Sequence, residues 1–149
     1  MNKWTFTIYG RGLGRELENP MGYHRTTVKS KWDPKHREYE NWKSYVRGVF
    51  EKAFPDFEMQ RIPIRGKYYN YAWSGKGLHI DDRFILRTWI YFVNDVRPDS
   101  GNVTKGIADA LFDSDKQVLE QTMFYGYDKG EPRVTVVIEF ESKKKGLNI

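Results

Sequence analysis

Carboxylates, an amine and an amide are concentrated between residues 99 and 118. Asp99-Ser100-Gly101-Asn102-Val103-Thr104-Lys105 is followed by Ala108-Asp109-Ala110-Leu111 and by Asp113-Ser114-Asp115-Lys116-Gln117-Val118. Asn102, Lys105 and Asp109 stand at i, i+3 and i+7, so a helix would place them on one face. Val103, Ile107, Ala110 and Leu111 then fall on the opposite face, toward a core. Asp99 stands just before this helix, and Asp113 and Asp115 just after it. Carboxylates converging from two loops suit a hard divalent cation, which takes oxygen ligands and keeps waters for a substrate phosphate. Magnesium held in this way can orient a phosphate and generate a nucleophilic water. A lysine beside it can stabilise developing phosphate charge. A plainer reading uses the same residues: Asp99 or Ser100 as a helix N-cap, Lys105 and Asp109 as a surface ion pair, Asp113 and Asp115 as loop residues. Spacing alone favours the plainer reading.

A second chemistry lies upstream. Arg11, Arg15, Arg25, Lys29, Lys31, Lys35 and Arg37 cluster in a stretch that also holds Tyr23, His24 and Trp32. Cations interleaved with aromatics can contact phosphates and stack on opened bases, although charge runs are usually solvated surface. Arg65 to Gly77 repeats the mixture with Arg65, Lys67, Lys76, Tyr68, Tyr69, Tyr71 and Trp73. There, cross-strand aromatic packing is the simpler account. His79 with Asp81 and Asp82 reads equally well as a metal cluster or a loop. Gly10, Gly12 and Gly14 are not a dinucleotide fingerprint, because no helix pattern follows them.

Hydropathy periods define the elements that must position these groups. Trp4, Phe6 and Ile8 alternate with Lys3, Thr5 and Thr7, the pattern of a half-buried strand. Residues 16–31 carry charges, Pro20 and Gly22 but no period, and read as a long basic loop. Asp33-Pro34 is a helix start, with Asp as N-cap and Pro at the first helical position. Tyr39, Trp42, Val46, Val49, Phe50 and Ala53 continue it as one apolar stripe until Pro55. Residues 57–71 are strand-like, with Pro63 at an edge or bulge. Residues 84–93, FILRTWIYFV, are apolar on both faces and predict a central strand covered on both sides. Further strands are expected over 123–127 and 133–141, with a hairpin turn at Asp128-Lys129-Gly130-Glu131. Strands mixed with two or three helices make an α/β (α+β) single domain with a mixed β-sheet.

Composition narrows the classes. The chain has 149 residues, enough for one domain with a sizeable core. Its 16% aromatic content excludes a disordered polar chain. The absence of cysteine excludes disulfide scaffolds, thiolate zinc sites and cysteine nucleophiles. No apolar run approaches the ~20 residues of a membrane span, and no secretory h-region is visible, so a cytoplasmic location is expected. Lys+Arg of 25 against Asp+Glu of 20 leaves +5, a weak lean toward a polyanion such as nucleic acid.

The segment RPDSGNVTKGIADALFDSDKQV resembles the signature of the RusA family of Holliday-junction resolvases. That signature runs approximately Asp-x-Asp-Asn-x-x-Lys, then Asp-Ala-Leu, then Asp-Asp-x-Gln-Val. Asp99, Asn102, Lys105, Asp109-Ala110-Leu111, Asp115 and Gln117-Val118 match it residue by residue. Asn19-Pro20-Met21 through Trp32-Asp33-Pro34-Lys35 is similar to the family's basic loop and first helix, and Glu131-Pro132-Arg133-Val134 to its closing hairpin. The resemblance implies a RusA-like domain over residues 1–141; residues 142–149, with Lys143-Lys144-Lys145, read on their own composition as a basic flexible tail. It implies a homodimeric, magnesium-dependent endonuclease that cuts four-way DNA junctions, with manganese as a substitute ion. Asp99, Lys105 and Asp115 take the catalytic positions. Arg15, Arg25, Lys29, Lys31, Lys35 and Asn102 are the expected DNA contacts. Two departures stand out. Gly101 replaces an expected metal-binding Asp, and Ser114 replaces the first Asp of the later pair. Asp95, Asp109 and Asp113 are the carboxylates near enough in sequence to compensate, with Asp109 and Asp113 the first choices as metal ligands. Two other readings stay open: a catalytically silent protein that binds structured DNA, and a small protein-interaction domain.

Overall fold

The computed structural model describes residues 2–12, 14–25, 33–55, 58–65, 68–74, 83–112 and 118–141. The alternating N-terminal segment is strand β1, Asn2–Tyr9, with Phe6 and Ile8 buried. Helix α1, Pro34–Ala53, starts where its cap residues require: Asp33 accepts a hydrogen bond from the Lys35 amide at 2.9 Å. Tyr39, Trp42, Val46 and Phe50 form its buried stripe, about one residue per turn. The strand-like stretch near Pro63 is an antiparallel pair, β2 (Glu58–Arg65) and β3 (Tyr68–Ser74), forming its own sheet. Its register shifts between Pro63 and Arg65, as a proline without a ladder donor demands.

Strand β4, Arg83–Phe92, is followed by helix α2, Ser100–Leu111, then β5, Val118–Tyr127, and β6, Arg133–Glu141. The main sheet has the order β1-β6-β4-β5. β4 pairs parallel with β5 and antiparallel with β6, so the sheet is mixed and the fold is α+β. Two helices accompany it among the described residues, the lower of the two numbers expected.

Two expectations need correction. β4 is central in pairing, but only one of its faces is buried: Phe84, Leu86, Thr88, Ile90 and Phe92. Ile85, Arg87, Trp89 and Tyr91 are half-buried on the other face. Three of them have described partners within the sheet. Trp89 stacks on Phe124 at 5.4 Å, Arg133 lies 4.1 Å from the Tyr91 ring, and Arg87 pairs with Glu139. The second correction concerns Asp128–Glu131. The turn exists, with the Asp128 carboxylate accepting from the Gly130 and Glu131 amides. It is not a hairpin, because β4 lies between β5 and β6. The turn therefore steps across two strand spacings, about 10 Å. Arg133 closes it with a 2.8 Å bond to Asp128, and that bond holds the carboxyl below its ordinary range.

Parallel strands cannot be joined by a tight turn, and α2 is the crossover. It carries the chain from the Phe92 end of β4 back toward the Phe84 end, where Phe112 stacks on Phe84 at 4.7 Å. Its seat is fixed by two fully buried hydroxyls, Thr88 of β4 and Thr104 of α2, 2.8 Å apart. Thr104 also donates to the Ser100 carbonyl at 3.1 Å. With its single proton so used, Thr104 accepts from Thr88. Thr104→Val should therefore strand the Thr88 hydroxyl and cost about 1–3 kcal/mol, whereas Thr88→Val should cost roughly 0.5–1.5. The double Val variant should cost less than the sum, as read from urea denaturation midpoints.

Candidate active site

The first turn of α2 is the centre of the candidate site. Asp99 is its N-cap: the side-chain Oδ1 accepts from the Gly101 amide at 2.7 Å, and the carbonyl from the Val103 amide at 3.1 Å. The capping role is real, and it leaves the exposed carboxylate with one oxygen, Oδ2, carrying no hydrogen bond to a described residue. Capping and ion binding therefore do not exclude each other. Gly101 lies within the helix, and a Cβ there would meet only the Asp99 Oδ1, at 3.1 Å. The backbone conformation at 101 admits a side chain, provided the Asp99 carboxylate gives by a few tenths of an ångström.

Asn102 and Lys105 are exposed and Asp109 half-buried along α2, as the i, i+3, i+7 spacing predicts. The Lys105–Asp109 ion pair does not form. The Lys105 amine lies 4.2 Å from the Tyr23 ring, a cation–π contact that leaves the charge available. Asp109 faces α1 instead. Its Oδ2 accepts from the Tyr39 hydroxyl at 2.6 Å and lies 3.4 Å from the Lys43 amine. Burial, then the bond to Asp109, pushes the Tyr39 hydroxyl far above the ordinary phenol range, so it stays a donor. Ten residues of helix also place about 15 Å between Asp99 and Asp109. One ion cannot take both, and Asp109 is a clasp between the helices. Asp113 and Asp115, like Lys29 and Lys31, lie outside the described residues. Among the described residues, no group of three or more His, Asp or Glu side chains gathers into a metal cluster.

The basic segment reaches α2 through its backbone. The Tyr23 amide donates to the Asn102 carbonyl at 2.9 Å. Gly22 has no room for a side chain, since a Cβ would come within 2.8 Å of Pro98 Cβ. Met21 is buried below it, and Arg25 emerges exposed. Asn19 ties the segment to the approach to Asp99: its Oδ1 accepts from the Val93 amide at 2.6 Å and its Nδ2 donates to the Val96 carbonyl at 2.9 Å. Lys35 is exposed on the first turn of α1. Arg15 is more encumbered than expected, bonded to Glu18 at 3.0 Å and Glu38 at 3.4 Å. Tyr23, expected only as one of the aromatics interleaved with the cations, lies under Lys105, and Arg97 is a neighbour of the site that spacing did not single out; its contacts with the aromatic end of β5 mark it.

The matched family model is that of Endodeoxyribonuclease RusA, and it covers residues 18–139. The chain belongs to the RusA family. The RusA match takes in the anchored basic segment, α1, α2, β4, β5 and β6 as far as Glu139. No curated protein matches the chain. No helix among the described residues is long and apolar enough to cross a membrane.

The clasp gives a direct test. Asp109→Ala should destabilise the RusA fold by about 1–3 kcal/mol by leaving the buried Tyr39 hydroxyl without an acceptor. Asp109→Asn should lose less. Thermal melts should show the same loss in magnesium and in EDTA.

Proposed function

We propose that this RusA-family protein binds four-way DNA junctions and carries an attenuated divalent-metal endonuclease centre on α2. The observation that carries the reading is the exposed capping Asp99 and the exposed Lys105 of the same helix, beside a basic segment docked on that helix. Asp99 offers one oxygen to magnesium, which suits an ion that uses one or two carboxylates plus substrate phosphate. Asp115 is the second ligand in this reading, with Asp113 as its neighbour. When bound, the ion would polarise the phosphodiester and activate water. Lys105 supplies positive charge toward the same phosphate, and Tyr23 restrains its amine. Arg25, Lys29, Lys31 and Lys35 bind flanking phosphates, and Asn102 is positioned to contact the strand. With Gly101 in place of a carboxylate, the cage lacks a full negative charge, and ligand precision falls with it.

Cleavage of a synthetic four-way junction tests this reading. The wild-type chain should bind the junction but cut it poorly in magnesium, and better in manganese, whose affinity for such sites is the higher. Gly101→Asp should raise cleavage about ten-fold or more, the effect of ~1.4 kcal/mol in the barrier. Asp99→Asn and Asp115→Asn should abolish what remains. Gly101→Asp should also make the melting temperature respond more strongly to magnesium. Robust cutting by the wild type in magnesium would overturn the attenuation.

A homodimer completes the reading. A junction needs two cuts related by a two-fold axis, and a two-fold dimer presents two equivalent sites. Light scattering should give twice the 17.7 kDa chain mass for the free protein. A monomer with and without DNA would contradict it.

A further inference from the structure

Arg97 stands two residues ahead of Asp99, and its guanidinium is held on an aromatic platform. It lies 4.6 Å from the Phe92 ring centroid, 4.5 Å from Tyr125 and 5.9 Å from Tyr127. Its Nε donates to the Tyr127 hydroxyl at 3.1 Å and its Nη1 to the Pro98 carbonyl at 3.1 Å. The Tyr127 hydroxyl in turn donates to Asp95 Oδ1 at 2.7 Å. These contacts fix a planar, permanently charged fork. They use two of its five N–H groups; no described residue takes the Nη2 pair.

The platform is not a core feature. Phe92 is fully buried, but Tyr125 is 56% exposed and Tyr127 49%. Both end an edge strand, with their rings meeting at 6.3 Å in a T-shaped contact. The charge there is also held differently from that of the ion-paired cations. Arg11 and Arg15 face Glu18 and Glu38, Lys43 faces Asp109, Arg87 faces Glu139 and Arg133 faces Asp128. Arg97 and Lys105 instead rest on rings, with no carboxylate at ion-pair distance among the described residues. These two cations flank the capping turn of α2, one before Asp99 and one after it.

We propose that Arg97, Tyr125 and Tyr127 form a single-nucleotide subsite for an opened position of a DNA strand entering the candidate active site. The inference rests on the junction-binding reading above. The guanidinium takes a strand phosphate next to the one at Asp99, through its Nη2 pair and remaining Nη1 proton. A guanidinium fork matches two phosphate oxygens at once. The exposed face of Tyr125 takes the base of that nucleotide, since every base offers a π-face to an aromatic ring. The base pairs that flank a crossover are paired but not held in one continuous stack, so one of them costs less to open onto the ring than a pair inside a linear duplex. The subsite therefore favours branched over linear DNA without reading sequence.

The test uses the full chain, a four-way junction carrying 2-aminopurine at the branch point, and a linear duplex of the same sequence. The wild type should quench the 2-aminopurine on binding. Arg97→Gln should weaken junction binding about ten-fold and lower the salt slope by about one. Tyr125→Ala should abolish the quench and weaken junction binding about ten-fold, the scale of one lost base stack, while duplex binding stays unchanged. Tyr125→Phe, which keeps the ring, should restore both. Wild-type affinity, slope and quench in Arg97→Gln and Tyr125→Ala would overturn the subsite and leave the junction reading standing. A wild-type chain that binds no junction would overturn that reading, and the subsite with it. Arg97→Gln alters no buried residue, so it keeps the comparison open if Tyr125→Ala does not fold.

Discussion

The seating of α2 on β4 is the constraint from which the candidate site follows. The helix buries Val103, Ile107, Ala110 and Leu111, and the Thr88–Thr104 hydroxyl pair fixes how far along the strand it sits. Apolar burial is non-directional; it would tolerate a sliding or rotated helix. A buried hydrogen bond is directional and costly to leave unmade. One hydroxyl pair therefore converts a greasy contact into a defined register, and the exposed face with Asp99, Asn102 and Lys105 is set as a consequence.

Close approach is the second requirement. Gly22 lets the chain before Tyr23 run against the approach to α2, since a Cβ there would come within 2.8 Å of Pro98, whereas one at Gly106 would only make ordinary contacts, 3.4 Å from the Tyr23 amide nitrogen and 3.5 Å from the Tyr39 ring. Tyr23 uses that approach twice, through its amide on Asn102 and its ring under Lys105. Asp109 completes the junction of the helices with Tyr39 and Lys43. The same helix thus carries a structural carboxylate at one end and an exposed one at the other. The difference between them is what faces them: a buried phenol for Asp109, solvent and a cap for Asp99.

Charge is distributed with equal selectivity. A net +5 is too small to define a DNA surface by itself. What matters is which cations are already neutralised. Arg11, Arg15, Lys43, Arg87 and Arg133 meet carboxylates, whereas Arg97 and Lys105 meet aromatic rings. A ring orients a cation without cancelling its charge. Membership of the RusA family and this pattern point toward the same polyanionic partner.

Local periods determined a good deal of this protein by themselves. The alternation at Phe6 and Ile8, the stripe from Tyr39 to Phe50 and the buried face of α2 follow from side-chain geometry along one element, as do the caps at Asp33 and Asp99. The motif from Asp99 to Val118 pointed to the family for the same reason, because its residues lie close along the chain. Only the tertiary structure decided what crosses between elements. β6 inserts beside β4, so the Asp128 turn spans a strand rather than closing a hairpin. On the outer face of β4, Arg87, Trp89 and Tyr91 meet partners within their own sheet. Asp109 belongs to Tyr39 and Lys43, and Arg97 to Tyr125 and Tyr127. Each of these depends on partners roughly 30 to 70 residues apart. Spacing along one element carries no information about which distant side chain will face it; that is set by how the buried faces pack.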